Sequence, residues 1–198
     1  YVNAEGVRFV DETGRRDEIS HAILEQPNKV AYAIFDHRTI EQKKVRDDLM
    51  KIALGHGYAF EADTLEDLAK KAGIKADAFV ETVKTYNEAA RKEDGKGLPV
   101  PKILMGLTVE KAPFYAVPIT TTIHHTMGGL KINTKAQVLN KEGKAIPGLF
   151  AAGEVTGGVH GGNRLGGNAQ ADIVVFGRIA GQQAYIFAQQ AKAADAKK

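Results

Sequence analysis

The spacing of apolar residues changes along the chain, and each spacing predicts its own kind of element. Tyr1 to Val10 carries two short apolar stretches around Asn3-Ala4-Glu5-Gly6, whose composition is that of a hairpin turn. A charged segment follows from Asp11 to Glu18. Lys29 to Asp36 (KVAYAIFD) is an apolar run closed by a charged residue, and its length favours a buried strand over a helix. From Thr39 to Leu54, the side chains of Val45, Leu49, Met50 and Ile52 stand among many charges at the spacing of an amphipathic helix, which Gly55 ends. Thr64-Leu65-Glu66-Asp67 has the form of a capping box opening a short helix to Gly73. Phe79, Val83, Tyr86 and Ala90 then recur on one helical face.

Asp94 to Pro101 (DGKGLPVP) reads as loop, because Gly and Pro interrupt both helix and strand there. A boundary between two substructures is expected near Pro113, giving segments 1–112 and 113–198. Beyond it glycine becomes dense: 13 of the 21 glycines lie between Gly128 and Gly181. Leu130 to Leu139 reads as extended, Asn140 to Pro147 as a turn, and Gly148 to Gly153 as a buried strand running into tight backbone. Asn168 to about Gln190 is the last long helix, its apolar face carrying Ile173, Phe176, Ile179, Ala180 and Phe187. Gly177 and Gly181, four apart, would admit another backbone closely. The final AKAADAKK is a solvated tail.

Composition narrows the function classes. Lys plus Arg number 27 against 24 Asp plus Glu in 198 residues, a formal charge of +3 that is dispersed rather than striped, so nucleic acid is a poor partner. The absence of cysteine excludes disulfides, thiolate metal ligands, c-type haem attachment and a cysteine nucleophile within this chain. No apolar run approaches the roughly 18 residues of a membrane span. The chain begins at Tyr1, inside what reads as a strand, so a processed product or a piece of something larger is expected.

Three segments carry candidate chemistry. The first is AAGEVTGGVHGGNRLGGN, Ala151 to Asn168, whose many glycines are costly unless backbone must approach something closely. It ends where the last helix begins, so peptide N–H groups and the positive dipole end can face an electron-rich ligand, and Arg164 suits a carboxylate. Tight packing alone is the other reading of such a loop. The second is His124-His125-Thr126-Met127-Gly128-Gly129. Adjacent histidines in extended backbone point to opposite faces and do not share one metal. One can face a substrate and the other a cofactor, or both can be satisfied polar residues. The third, Gly14-Arg15-Arg16-Asp17, is by composition a solvated charge run.

Arg8-Phe9-Val10-Asp11-Glu12 with Arg16-Asp17, then HHTMGG, then GLFAAGEVTGGVHGGNRLGGNAQADIVVFGRIAG, closely resemble the soluble FAD-dependent fumarate reductases of the flavocytochrome c type and the related urocanate reductases. The wider family typically has His-Tyr where this chain has His124-His125, which points to the soluble branch. The resemblance spans nearly the whole chain but only the C-terminal part of that flavoprotein. It implies a mixed fold, α+β with α/β character: residues 1–112 part of a mobile capping domain, and 113–198 the C-terminal segment of a Rossmann-type FAD-binding domain. The N-terminal half of that domain, with its GxGxxG, and any haem domain would lie outside this sequence, and the chain alone would be inactive. A non-catalytic complementation or packing module is the reading from another class.

The roles that follow are implied by the resemblance. In this family a hydride passes from flavin N5 to one alkene carbon of a dicarboxylate, and an arginine protonates the other. Arg16 would be that donor, with Asp17 tuning its position, although the family's relay carboxylate lies upstream of Tyr1. His124 and Arg164, helped by the Gly167 backbone, would bind a substrate carboxylate. His125 would face the pyrimidine end of FAD, Glu154 its ribityl or adenosine side, and the backbone of Ala169 and Gln170 the isoalloxazine. Carbonyls of Thr126, Met127, Gly128, Glu154 and Thr156 would enclose Na⁺. The family often has Ala at the place of Gly162 and a bulkier apolar residue at that of Gln170. The resemblance further implies a small dicarboxylate substrate, an electron-donating haem domain or cytochrome, and a periplasmic setting, with urocanate or methacrylate as alternative substrates.

Overall fold

A computed structural model describes residues 1–42 and 45–196. It divides into two compact units, Tyr1–Thr122 and Ile123–Lys198. The division falls after residue 122 rather than after 112, because strand β3 (Phe114–Ile119) pairs on both sides with strands of the first unit.

The first unit is a three-stranded antiparallel sheet with helices on both faces. β1 (Ala31–Asp36) and β2 (Phe60–Ala62) flank β3, in the order β1-β3-β2. The expected strand at 29–36 is present; β2 and β3 are additions to the reading from sequence. β3 is apolar throughout because both its faces are covered, which removes the alternation of a half-exposed strand. Phe114 and Ala116 face a cluster with Leu68, Ala69 and Ala72 of α4 (Leu65–Ala72) and Phe79 and Val83 of α5 (Ala76–Arg91). Tyr115, between them in sequence, packs with Met50 of α3 (Asp47–Gly55) and stacks on Phe35 at 5.4 Å.

The helix starts follow local chemistry. The Thr64 side chain accepts from the Asp67 amide at 3.1 Å, and Gly73 closes α4 in the left-handed conformation. The single helix expected over 39–54 is instead α2 (His37–Glu41), capped by Asp36, and α3; residues 43 and 44 of that stretch lie outside the described residues. The charged run at 11–18 turns into α1 (Arg16–Leu24), whose first turn gains from Asp17 and Glu18.

Asp36 fixes the irregular segment before β3. Its carboxylate, fully buried, accepts from the amides of Arg38 (3.0 Å), Glu110 (2.9 Å) and Lys111 (3.0 Å) and from the Arg38 guanidinium (2.6 Å). Asn87 does the same for Val109, exchanging two hydrogen bonds with its backbone at 2.7 and 2.9 Å. Polar backbone with no strand partner is thereby satisfied. The loop at 94–101 is tied in by Arg8, which donates to the Val100 carbonyl at 2.7 Å and pairs with Glu12 at 2.8 Å.

In the second unit, β4 (Leu130–Lys131) lies parallel to β7 (Thr156–Gly157), and β5 (Gln137–Leu139) antiparallel to β6 (Ala145–Phe150). β6 begins inside the expected turn, and it is largely exposed rather than buried, because only β5 pairs with it. α6 (Asn168–Asp195) packs on β6 through Phe187, against Gly148 and Phe150. It runs beyond the expected end into the segment read as tail, of which Lys197 and Lys198 lie outside the described residues. A Cβ on Gly177 or Gly181 would meet nothing within 4 Å beyond the helix's own backbone, so no second backbone crosses there among the described residues.

Removing the Asp36 carboxylate leaves three amides and a guanidinium without their shared acceptor. Asp36→Ala is therefore expected to lower the unfolding free energy by about 3–5 kcal/mol in urea titrations. Burial by itself raises the Asp36 pKa, but Arg38 and the two amides outweigh it and hold the group below the ordinary carboxylate range. Its contribution is thus complete above the unfolded value near 3.9 and fades as pH falls through the depressed native one. Wild type and Asp36→Ala should converge in stability in acid, and a constant difference down to the lowest pH at which the fold persists would refute this account.

Candidate functional site

Backbone proximity builds the second unit's polar cluster. β4 and β7 approach so closely that a Cβ on Gly157 would lie 2.6 Å from the Gly129 nitrogen, and one on Gly129 would collide with the Val155 carbonyl. Only glycine fits on either side. The two segments holding the carbonyls of Thr126, Met127 and Gly128 and those of Glu154 and Thr156 therefore run side by side, and the Thr156 hydroxyl, buried, donates to the Gly153 carbonyl at 2.7 Å.

Glu154 joins the same segments through its side chain. One carboxylate oxygen accepts from the Thr126 amide at 2.9 Å, and the other lies 3.6 Å from Nδ1 of His125. The Thr126 amide, with the nearby His125 and His124, holds the Glu154 carboxyl below its ordinary pKa. His124 and His125 lie outside any strand, and their burial differs. His124 is exposed, and the His125 ring is 7% exposed with its Nε2 buried and without a hydrogen-bond partner.

His160 and Asp172 complete the cluster. The two imidazoles of His125 and His160 stand 5.5 Å apart and nearly perpendicular, and His160 Nε2 donates to a carboxylate oxygen of Asp172 at 3.1 Å. Asp172 is the buried residue of α6, with its other oxygen unbonded. Neither residue was singled out from sequence. The signal was available: Asp172 is an acid inside an apolar run, ADIVVF, on a helix that otherwise has its charges elsewhere.

The loop from Gly158 to Gly167 contains glycines of two sorts. Gly158, Gly161 and Gly167 have positive φ and so are required by the backbone. Gly162 and Gly166 lack that conformation, and a Cβ at either would meet nothing within 4 Å. Tight packing among the described residues therefore does not account for them. Arg164 between them is 5% exposed and donates to the Leu165 carbonyl at 3.2 Å. Gly167 caps α6 in the left-handed conformation with no side-chain cap; Ala169 and Gln170 form the first turn, where the Gln170 amide already donates to the Gly167 carbonyl at 3.0 Å.

In the first unit, Arg16 opens α1 on an exposed surface. Asp17 is engaged by Arg15 at 2.7 Å, and this hydrogen bond lowers the Asp17 pKa. No helix is long and apolar enough to cross a membrane, and no cluster of three metal-ligating side chains occurs, among the described residues.

Comparison with known proteins places these features in context. The FAD binding domain family matches residues 1–169. The chain is 46% identical over 185 residues to NADH:acrylate oxidoreductase of Vibrio harveyi, covering 93% of this chain and 18% of that protein. It is 48% identical over 185 residues to fumarate reductase (cytochrome) of Shewanella frigidimarina, covering 92% and 31%. Among solved structures, the open conformation of a flavocytochrome c3 fumarate reductase superposes with a TM-score of 0.72 at 45% identity, covering 94% of this chain and 32% of that one. The chain thus spans less than a third of the length of each.

The two sorts of glycine predict opposite phenotypes in a full-length protein. Gly157→Ala forces apart β4 and β7 and should cost about 1–3 kcal/mol of stability. Gly166→Ala should leave thermal unfolding unchanged yet weaken ligand retention, and full retention in that variant would assign the loop to packing.

Proposed function

This chain belongs to the FAD binding domain family, and from that premise we propose that it forms part of a flavin-dependent oxidoreductase that reduces fumarate to succinate. The observation that carries this reading is the second unit's cluster. A buried His125 nitrogen without a partner, and two loop glycines that face open space, lie in one unit with a buried arginine. These features fit a large ligand that brings its own hydrogen-bonding edge. The α+β fold and the 48% identity to a fumarate reductase support the choice of FAD and of fumarate.

When bound, FAD supplies the hydride from its N5. His125, Glu154, Ala169 and Gln170 hold it, Gln170 through groups other than the amide that Gly167 engages. His124, Arg164 and the Gly167 backbone would bind a substrate carboxylate, and their donors would draw electron density from the alkene. Arg16 delivers the proton to the neighbouring carbon. Its reference pKa lies far above neutrality, but the carbanion-like transition state is a much stronger base than water, and a proton relay restores the guanidinium at once. Na⁺ held by carbonyls of Thr126, Met127, Gly128, Glu154 and Thr156 would brace the two segments. A haem domain or cytochrome is the electron donor, and the periplasm the setting.

α6 supports the placement within a larger protein. Ile173, Val174, Val175, Tyr185 and Ile186 are all exposed on different sides of it, an amount of apolar surface that a solvated helix does not carry. We assign these side chains to contact with the remainder of the FAD-binding domain, with residues 1–112 as part of a capping domain. The same chemistry on acrylate, methacrylate or urocanate is the second reading, favoured for acrylate by the 46% identity to an acrylate reductase.

Steady-state turnover with a reduced viologen dye, in the full-length flavin-loaded protein, decides among these acids; fumarate should show the highest kcat/KM. Arg164→Met should cost about 2–5 kcal/mol of fumarate binding while leaving flavin content near normal. Unchanged fumarate affinity there sinks the assignment. Arg16→Ala should lower turnover by about 10²- to 10⁴-fold with flavin and dicarboxylate binding retained, and Arg16→Lys should rescue poorly because its donor is shorter and differently aimed. A solvated arginine predicts near wild-type rates for both.

A further inference from the structure

His125 is buried but weakly held on the side of Glu154. The 3.6 Å between Nδ1 and the carboxylate exceeds hydrogen-bond range, and Glu154 is half exposed, so its attraction is screened by water. An imidazole with that restraint alone can turn over about its Cβ–Cγ bond. The second restraint is the His160 ring, which packs at 5.5 Å and 76° against it. His160 in turn is held by Asp172, whose side chain is 3% exposed and belongs to the second turn of α6. With the carboxylate oxygen as acceptor, Nε2 is the nitrogen that donates.

We propose that His160, anchored by Asp172, is a positioning residue that sets the orientation of the His125 imidazole and so of its buried, unbonded Nε2. The frame is α6, and the line of contact runs from the helix through Asp172 and His160 to His125. His160 thereby has a use beyond pinning the middle of a glycine-rich loop, since the pinning needs only the bond to Asp172 whereas orienting His125 needs the ring. Its consequence for flavin binding rests on the assignment of His125 to FAD made above.

The substitution that separates the two is His160→Gln, which keeps an N–H for Asp172 and removes the ring. In the full-length protein labelled with ¹⁵N-histidine, the imidazole signals of His125 should move in this variant. Affinity for FAD, titrated into the apoprotein, should fall by about tenfold, and adding His125→Ala to His160→Gln should give no loss beyond that of His125→Ala alone. Asp172→Asn, a milder change that keeps an acceptor and the volume, should shift the same signals and guards against misfolding of the first variant. Unmoved His125 signals in folded His160→Gln overturn the proposal whatever happens to FAD, and so do strictly additive losses. Wild-type FAD affinity in His125→Ala would instead remove the flavin contact, while displaced His125 signals would still support the positioning.

Discussion

The close parallel approach of β4 and β7 governs what the second unit can present. Gly129 and Gly157 let two backbones meet where any side chain would force them apart. That contact brings Thr126 within reach of Glu154, and Glu154 within 3.6 Å of His125. Glu154 and Thr156 are therefore held by main chain rather than by a layer of apolar packing. The price is a strict dependence on two residues that carry no functional group at all.

A cluster built this way suits a region with little core of its own. Among the described residues of the second unit, Ala136 and Val138 are the buried apolar side chains, whereas Thr156, Arg164 and Asp172 are buried and polar. The first unit has the reverse balance, with Leu68 and Phe79 fully enclosed and its buried carboxylate, Asp36, saturated by four groups. An enclosed charge is tolerable only when paired or hydrogen-bonded. Asp36 meets that condition inside its own unit. Asp172, with one oxygen unbonded among the described residues, meets it only in part.

Legibility from sequence followed the range of the interactions. Elements set by neighbours in the chain were readable: the Thr64 cap, the Gly73 stop, the Phe79 and Val83 face of α5, and the apolar run of β1. β3 escaped because its continuous apolar pattern reflects two covered faces, and coverage is a tertiary fact. The start of α2 at His37 escaped because the Asp36 cap, not the apolar period, sets it. At the site, the glycine-rich loop and the histidine pair were visible as motifs. His160 and Asp172 were not, since their partnership joins a loop to a helix twelve residues on and leaves no periodic trace.

α6 also joins the exposed apolar side chains to the polar cluster. It turns Asp172 inward and leaves Ile173, Val174 and Val175 exposed, an inversion of the usual amphipathic arrangement. Covering those side chains would bury apolar surface along the same helix that anchors His160 through Asp172.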